Sequence, residues 1–259
     1  MPTESKVVAI IPARWSSTRF PGKPLAQIKN KPMIQWVVEQ VQKASRISEV
    51  IVATDDDRIL DAVTGFGGKA VMTSQDHATG SDRIAEVASG LNCDIVVNVQ
   101  GDEPLIPPEN IDQVIDCLDK NPTLNVATLM MAVHELDEII DPNVVKVVTD
   151  QKGRALYFSR SAIPFHRDAW KNGLPESISK VKEEGVSRVF RHIGLYAYTR
   201  SFLLEFTRMN PSPIEQLEKL EQLRILEHGY SIQVEITEKI SMSIDRVEDL
   251  EKIERFLEK

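Results

Sequence analysis

The chain has 259 residues, 42% of them hydrophobic and 27% charged, which is enough to bury a sizeable core as one large α/β domain or two smaller ones. Its net charge of -8 argues against general binding to nucleic acid or to an anionic membrane, because both select a basic face. Any anion site therefore has to be local, built from a few placed cations.

The first residues, "MPTESKVVAIIPAR", carry an acid before the lysine, and their apolar run is too short for a signal peptide. No stretch approaches the roughly 20 apolar residues of a membrane span. A cytoplasmic protein is expected. Val7 to Ile11 reads as a buried strand, and it opens onto "PARWSSTRFPGKPL". That loop has one glycine, Gly22, so it is no GxGxxG turn; Pro24 follows Lys23 where a Walker motif needs Ser or Thr. Backbone N–H groups around Ser16 to Thr18, with Arg14 and Lys23, can balance the charge of a triphosphate. A solvated basic loop is an equally good reading of the same residues.

Pro32 fits the first turn of a helix whose face is Met33, Ile34, Val37, Val38 and Val41. Val50 to Thr54 follows as a strand ending in "DDD", where Asp55 or Asp56 can cap a helix starting near Arg58. A third strand, Lys69 to Thr73, leads through a polar loop to a helix from about Ser81. Cys93 and Cys117, the two cysteines, sit in apolar patterns without metal or CxxC spacing and read as buried thiols. Ile95 to Val99 is a continuous strand running into "QGDEP", and a helix from the Pro107–Pro108 pair precedes a strand over Val126 to Val133. Alternating strands and helices predict a Rossmann-like, mostly parallel sheet, which binds ligands beyond the carboxyl ends of its strands. Asp102 stands there. It is a candidate magnesium ligand, or an ordinary turn aspartate in "GDEP".

From His134 the rhythm changes to "VVKVVTD", "RALYFSR" and "HIGLYAY", strand-like stretches without regular helices between them. Residues 132–198 are expected as an inserted smaller subdomain, a candidate oligomer contact, within a single 1–259 domain. The polar stretch Arg167 to Arg191 is expected as a loop that is mobile or ordered on binding. His192 and Tyr196, four apart on a strand, share one face as a core pair or a substrate contact. The other four histidines show no zinc spacing. A helix is expected through "SPIEQLEKLEQLRILEHG", a strand in "SIQVEIT", and a last helix from Arg246 to Lys259. Asp245 makes a capping box with Glu248, and only a partner carboxylate across the sheet would make it functional.

Taken in order, "IIPARWSSTRFPGKPL", "ATGSDRIAEV", "VVNVQGDEP", "YFSRSAIPF", "HIGLYAY", "LEKLEQLRILEHG" and "IDRVEDLEK" resemble the motifs of the CMP-Kdo synthetases, the 3-deoxy-manno-octulosonate cytidylyltransferases. The resemblance spans essentially the whole chain. It implies a cytoplasmic, homodimeric nucleotidyltransferase that makes CMP-Kdo and pyrophosphate from CTP and Kdo for lipopolysaccharide assembly. It implies Arg14 and Lys23 as triphosphate ligands, and Ser81, Arg83 and Gln100 as nucleotide contacts, Gln100 at the junction with the sugar. Lys23 is also implied as a catalytic group, with Asp102 and Asp245 holding Mg²⁺. Arg160 is implied as a two-point fork for the sugar carboxylate, with His192, Tyr196, Glu221 and Gln222 near its hydroxyls. Glu221 and Gln222 are neighbours on a helix, so they cannot both point inward equally. A related acid, such as the 8-amino analogue of Kdo, is the alternative substrate. Trp15, Ser16, "IPF" and "IDRVEDL" depart from the usual family residues.

Overall fold

Five consecutive β-branched or small apolar residues need burial on both faces, and Val7–Ala13, the first strand (β1), obtains it between two parallel neighbours. A computed structural model describes residues 5–16, 20–133, 135–167, 170 and 189–258. After β1 come a 3-10 turn at Lys23–Leu25 and a two-residue hairpin, β2 (Gln27–Ile28) and β3 (Lys31–Pro32). The order continues α1 (Met33–Val41), β4 (Glu49–Thr54), α2 (Asp57–Gly65), β5 (Lys69–Met72), α3 (Gly80–Ser89), β6 (Ile95–Asn98) and α4 (Pro108–Asp119). Then follow β7 (Val126–Ala132), α5 (Leu136–Ile140), β8 (Lys146–Thr149), β9 (Ala155–Ser159), β10 (Phe190–Thr199) and α6 (Arg200–Phe206). The last elements are α7 (Pro213–Glu218), α8 (Gln222–Glu227), β11 (Gln233–Ile236) and α9 (Glu248–Phe256). The protein is a mixed α/β structure with a mostly parallel sheet, as the βα alternation predicts.

The chain divides into two compact units, one drawn from Met1–Pro122, Leu195–Arg208 and Lys239–Lys259, the other from Thr123–Gly194 and Met209–Glu238. The expected insertion, 132–198, overlaps the second. In the first unit β1 lies parallel to both β4 and β6, and β4 to β5; the end of β10 runs antiparallel to β6, with Tyr196 opposite Asn98. β1 and β6 therefore end at the same edge of the sheet, with Asn98 beside Ile10 and β1 running three residues further to Ala13. In the second unit β7 and β11 are parallel, β8 and β9 form an antiparallel pair, and the start of β10 pairs with β8.

Three local expectations change. Pro32 precedes α1 in extended geometry, because it pairs with Gln27 across the small hairpin. The helix expected through 213–227 is two short ones, broken at Lys219 with φ of 54°. Arg224 pairs with Glu215 through bonds of 2.8 and 2.6 Å, whereas on one continuous helix they would lie on opposite faces, about 13 Å apart along the axis. Asp245 is not the cap of the last helix, which begins at Glu248 after Val247 and has no side-chain cap; the carboxylate of Asp249, in its first turn, instead accepts the N–H groups of Asp245 and Arg246. Most of the Arg167 to Arg191 loop, residues 168–169 and 171–188, lies outside the described residues, as do His134 and 17–19.

Candidate active site

In the first unit three segments meet where β1 and β6 end. Arg14 follows β1, half-buried; its Nη1 donates to the Ala78 carbonyl at 3.4 Å, and its buried Nη2 has no partner among the described residues. A buried guanidinium nitrogen without an acceptor is costly, so the position suits an incoming anion. Trp15 then folds under Gly22. The Gly22 N–H donates to the Trp15 carbonyl at 3.0 Å, and a Cβ on Gly22, whose φ is +70°, would stand 2.9 Å from the indole. The Arg58 guanidinium stacks on the same indole, 3.3 Å from its centroid. This arrangement carries the chain into Lys23. The N–H groups expected at Ser17 and Thr18, and the role of Arg19, lie outside the described residues.

Lys23 donates to Asp102 Oδ2 at 2.6 Å and to the Ile244 carbonyl at 2.7 Å, and its Nζ lies 4.0 Å from Asp245 Oδ1. Gly101 explains how Asp102 gets there: a Cβ at 101 would come within 2.9 Å of the Pro12 carbonyl, so only glycine lets the two strand ends approach. Asp245 is drawn in by the backbone, since the Ile244 N–H donates to the Asp102 carbonyl at 2.9 Å. Two carboxylates thus flank one ammonium. Oxygen donors of this number and charge fit Mg²⁺, which is held by one or two carboxylates plus substrate phosphates; among the described residues no group of three or more His, Cys, Asp or Glu is placed to hold a metal ion.

Ser81 is buried in the first turn of α3, which Thr79 and Asp82 cap reciprocally. Arg83 is fully buried, with Nη2 2.6 Å from Asp55 Oδ2 and Nη1 donating to the Thr73 hydroxyl. Burial pulls its pKa down, Asp55 opposes this, and the nearby Arg14 adds to it. Those two terminal nitrogens are committed inside the fold, so Arg83 braces α3 against β4 and β5. Gln100 is half-buried and donates to Asn98 at 3.1 Å. Tyr196 is buried on β10, stacked against Tyr198 with centroids 5.6 Å apart.

The second unit holds the other candidates. Arg160 donates from Nε to the Glu218 carbonyl at 2.7 Å, from Nη1 to Pro142 at 2.9 Å and from Nη2 to Lys219 at 3.4 Å. Its fork faces three carbonyls, two of them at the broken end of α7, where helix carbonyls lack partners. His192 Nε2 lies 2.9 Å from the Thr128 hydroxyl, and its ring meets Phe158 edge-on at 5.0 Å. Thr128 gives its one proton to the Ile193 carbonyl at 3.1 Å, so the imidazole donates from Nε2. His192 is half-buried, and loss of water around the ring pushes its pKa down to about 3. Gln222 is buried and Glu221, the residue before α8, half-buried, so the inward member of that pair is Gln222.

Several supporting residues escape sequence reading. Glu218 accepts from the Ser159 hydroxyl at 2.6 Å and the Arg160 N–H at 3.0 Å; burial pushes its pKa up, but these bonds outweigh it and hold the carboxyl below its usual range. Lys146, fully buried, gives its protons to the carbonyls of Asp141, Val144 and Arg160. Neither pairing has a sequence signal. Asp249 has one, a carboxylate four residues after Asp245.

The sequence pattern of the family described as Cytidylyltransferase matches residues 8–256. The 3-deoxy-manno-octulosonate cytidylyltransferase of Geobacter sulfurreducens is 53% identical over 247 residues, covering 95% of this chain and 97% of its own. The enzyme of the same name from Geotalea daltonii is 54% identical over 248 residues, covering 96% of each chain. Among solved structures, a CMP:2-keto-3-deoxy-manno-octonic acid synthetase complexed with CTP superposes with a TM-score of 0.88 at 40% identity, covering 98% of this chain and 99% of that one. Matched along nearly all its length by the pattern and by relatives more than half identical to it, the chain belongs to the cytidylyltransferase family.

Proposed function

We propose that this enzyme couples CTP to 3-deoxy-manno-octulosonate, giving CMP-Kdo and pyrophosphate. The carrying observation is the Lys23 ammonium set between Asp102 and Asp245 at the ends of β1 and β6. The names of the relatives and of the solved structure support the choice of nucleotide and acid. The anomeric hydroxyl of the sugar acid attacks the α-phosphorus of CTP in line; the bond to the β-phosphate oxygen breaks, and pyrophosphate leaves. Arg14 receives the triphosphate on its unpartnered Nη2, and Lys23 stabilises charge developing on the α-phosphate. Asp102 and Asp245 are the residues that would hold Mg²⁺, which when bound offsets phosphate charge and acidifies a bound hydroxyl. Ser81 and Gln100 line the nucleotide side, with Arg83 bracing it. His192, Tyr196, Gln222, Glu221 and Arg160 serve the sugar acid, and Arg160 must exchange carbonyl partners for the carboxylate. A homodimer in the cytoplasm, supplying lipopolysaccharide assembly, completes the proposal.

The test is pyrophosphate release with CTP and Mg²⁺, offering Kdo, its 8-amino analogue and N-acetylneuraminate side by side. Kdo is expected to turn over fastest; an inert Kdo beside another active acid would overturn the substrate. In the same assay Asp102→Asn should lower kcat by about 10²–10³-fold, the usual loss when one electrostatic element is removed from a preorganised site. Near-normal turnover of that variant at saturating Mg²⁺ would remove Asp102 from the metal site.

A further inference from the structure

Asp249, in the first turn of α9, turns its carboxylate back along the chain. Oδ2 accepts the backbone N–H of Asp245 at 3.1 Å and that of Arg246 at 3.0 Å, while Oδ1 takes the Lys252 ammonium at 2.8 Å. One residue earlier, the Ile244 N–H is held by the Asp102 carbonyl at 2.9 Å, and the Ile244 carbonyl by Lys23 at 2.7 Å. The segment 244–246 is thus tied at one end to Asp102 and Lys23 and at the other to Asp249. Apolar packing fastens the same region independently: Ile244 and Ile253 are buried together with Ile28 and Met33. The helix therefore has its own apolar anchor, and the Asp249 bonds act directly on the backbone that carries the Asp245 side chain.

We infer that Asp249 is a positioning residue for the reaction, holding the Asp245 backbone so that its carboxylate faces Asp102 and Lys23. The inference rests on the reading of Asp245 as a magnesium-holding group. A carboxylate accepting two backbone donors at once restricts both φ and ψ of the residue between them, in addition to the core contacts of Ile244 and Ile253 on either side. Outer groups that orient a metal-holding side chain set affinity for the metal more than for the organic substrate.

The test compares Asp249→Ala with Asp249→Asn and Lys252→Ala. Asp249→Ala should raise the Mg²⁺ concentration for half-maximal turnover by about 10–100-fold, with little change in KM for the sugar acid. Electron paramagnetic resonance of Mn²⁺ titrated into the CTP complex, without sugar acid, should show affinity falling by the same factor. Asp249→Asn keeps an oxygen for the two N–H groups and should rescue the metal requirement; Lys252→Ala keeps the whole carboxylate and should match the parent. A folded Asp249→Ala with the parent's Mg²⁺ requirement and Mn²⁺ affinity overturns the inference. Asp245→Asn, run alongside, separates the two failures. If it leaves both readouts unchanged, the magnesium reading falls and the inference with it; if it shifts both while Asp249→Ala does not, positioning alone fails. Should Asp249→Ala melt below the assay temperature, Asp249→Glu replaces it, with the same two outcomes.

Discussion

Lys23 and His192 both sit among groups brought from far along the chain, and their surroundings set opposite chemistry. Lys23 lies between Asp102 and Asp245, 2.6 and 4.0 Å from their carboxylates, where phosphate oxygens are proposed to sit. His192 is kept neutral, because enclosure leaves an imidazolium nothing to replace its water. The linkage has a definite sign. Its folded pKa, about 3, lies below the ordinary value of 6.5, so at neutral pH both folded and unfolded forms are uncharged and its contribution is complete. Between those two values the unfolded chain takes up a proton that the folded one refuses, and stability falls by up to about 1.4 kcal/mol per pH unit. Melting curves from pH 7 to pH 4 should therefore fall more steeply for the parent than for His192→Gln. Equal slopes would show that the ring is hydrated.

Elements here end where a side chain needs them to. The break at Lys219 separates α7 from α8 and turns Arg224 onto Glu215, and the pair is almost fully enclosed, at 5% and 11% side-chain exposure. The same break exposes the carbonyls of Glu218 and Lys219 to Arg160. Removing one partner of such a pair leaves the other buried and unpaired, so Arg224→Ala should lower stability by about 3–5 kcal/mol, read from urea denaturation. A change within ordinary surface-mutation scatter would mean that α7 and α8 do not depend on it. Helical periodicity in "IEQLEKLEQLRILEHG" points to one helix, because the pattern records which residues are apolar and says nothing of an ion pair nine positions apart. The strands were plain by contrast. Val7–Ile11 and Ile95–Val97 are continuous apolar runs, and a run buried on both faces admits few other readings.

At the scale of the whole molecule, the magnesium proposed above is assigned to the reaction and not to the fold. Asp102 and Asp245 are partly exposed, at 29% and 45% of their side chains, and Lys23 offsets part of their charge by pairing with Asp102 at 2.6 Å. A chelator should therefore abolish pyrophosphate release while leaving the melting temperature unchanged; a large drop in melting temperature would make the metal a structural one. Among the described residues no helix is long and apolar enough to cross a membrane.

The order of motifs along 259 residues was sufficient by itself to establish the family, because a set of short, chemically unusual stretches in one sequence is far more specific than any one of them. The βα alternation likewise determined a mostly parallel sheet, and the position of "QGDEP" after a buried strand put Asp102 at its ligand-binding edge. Only the folded chain decided which of these residues share a site. Asp245 lies 143 positions beyond Asp102 in the numbering, and their meeting depends on a backbone bond from Ile244, on Gly101 admitting the Pro12 carbonyl, and on Asp249 holding the last turn of chain before α9. Local sequence encodes burial and turn preference; contacts between distant carboxylates and a lysine are settled by where packing leaves the backbone.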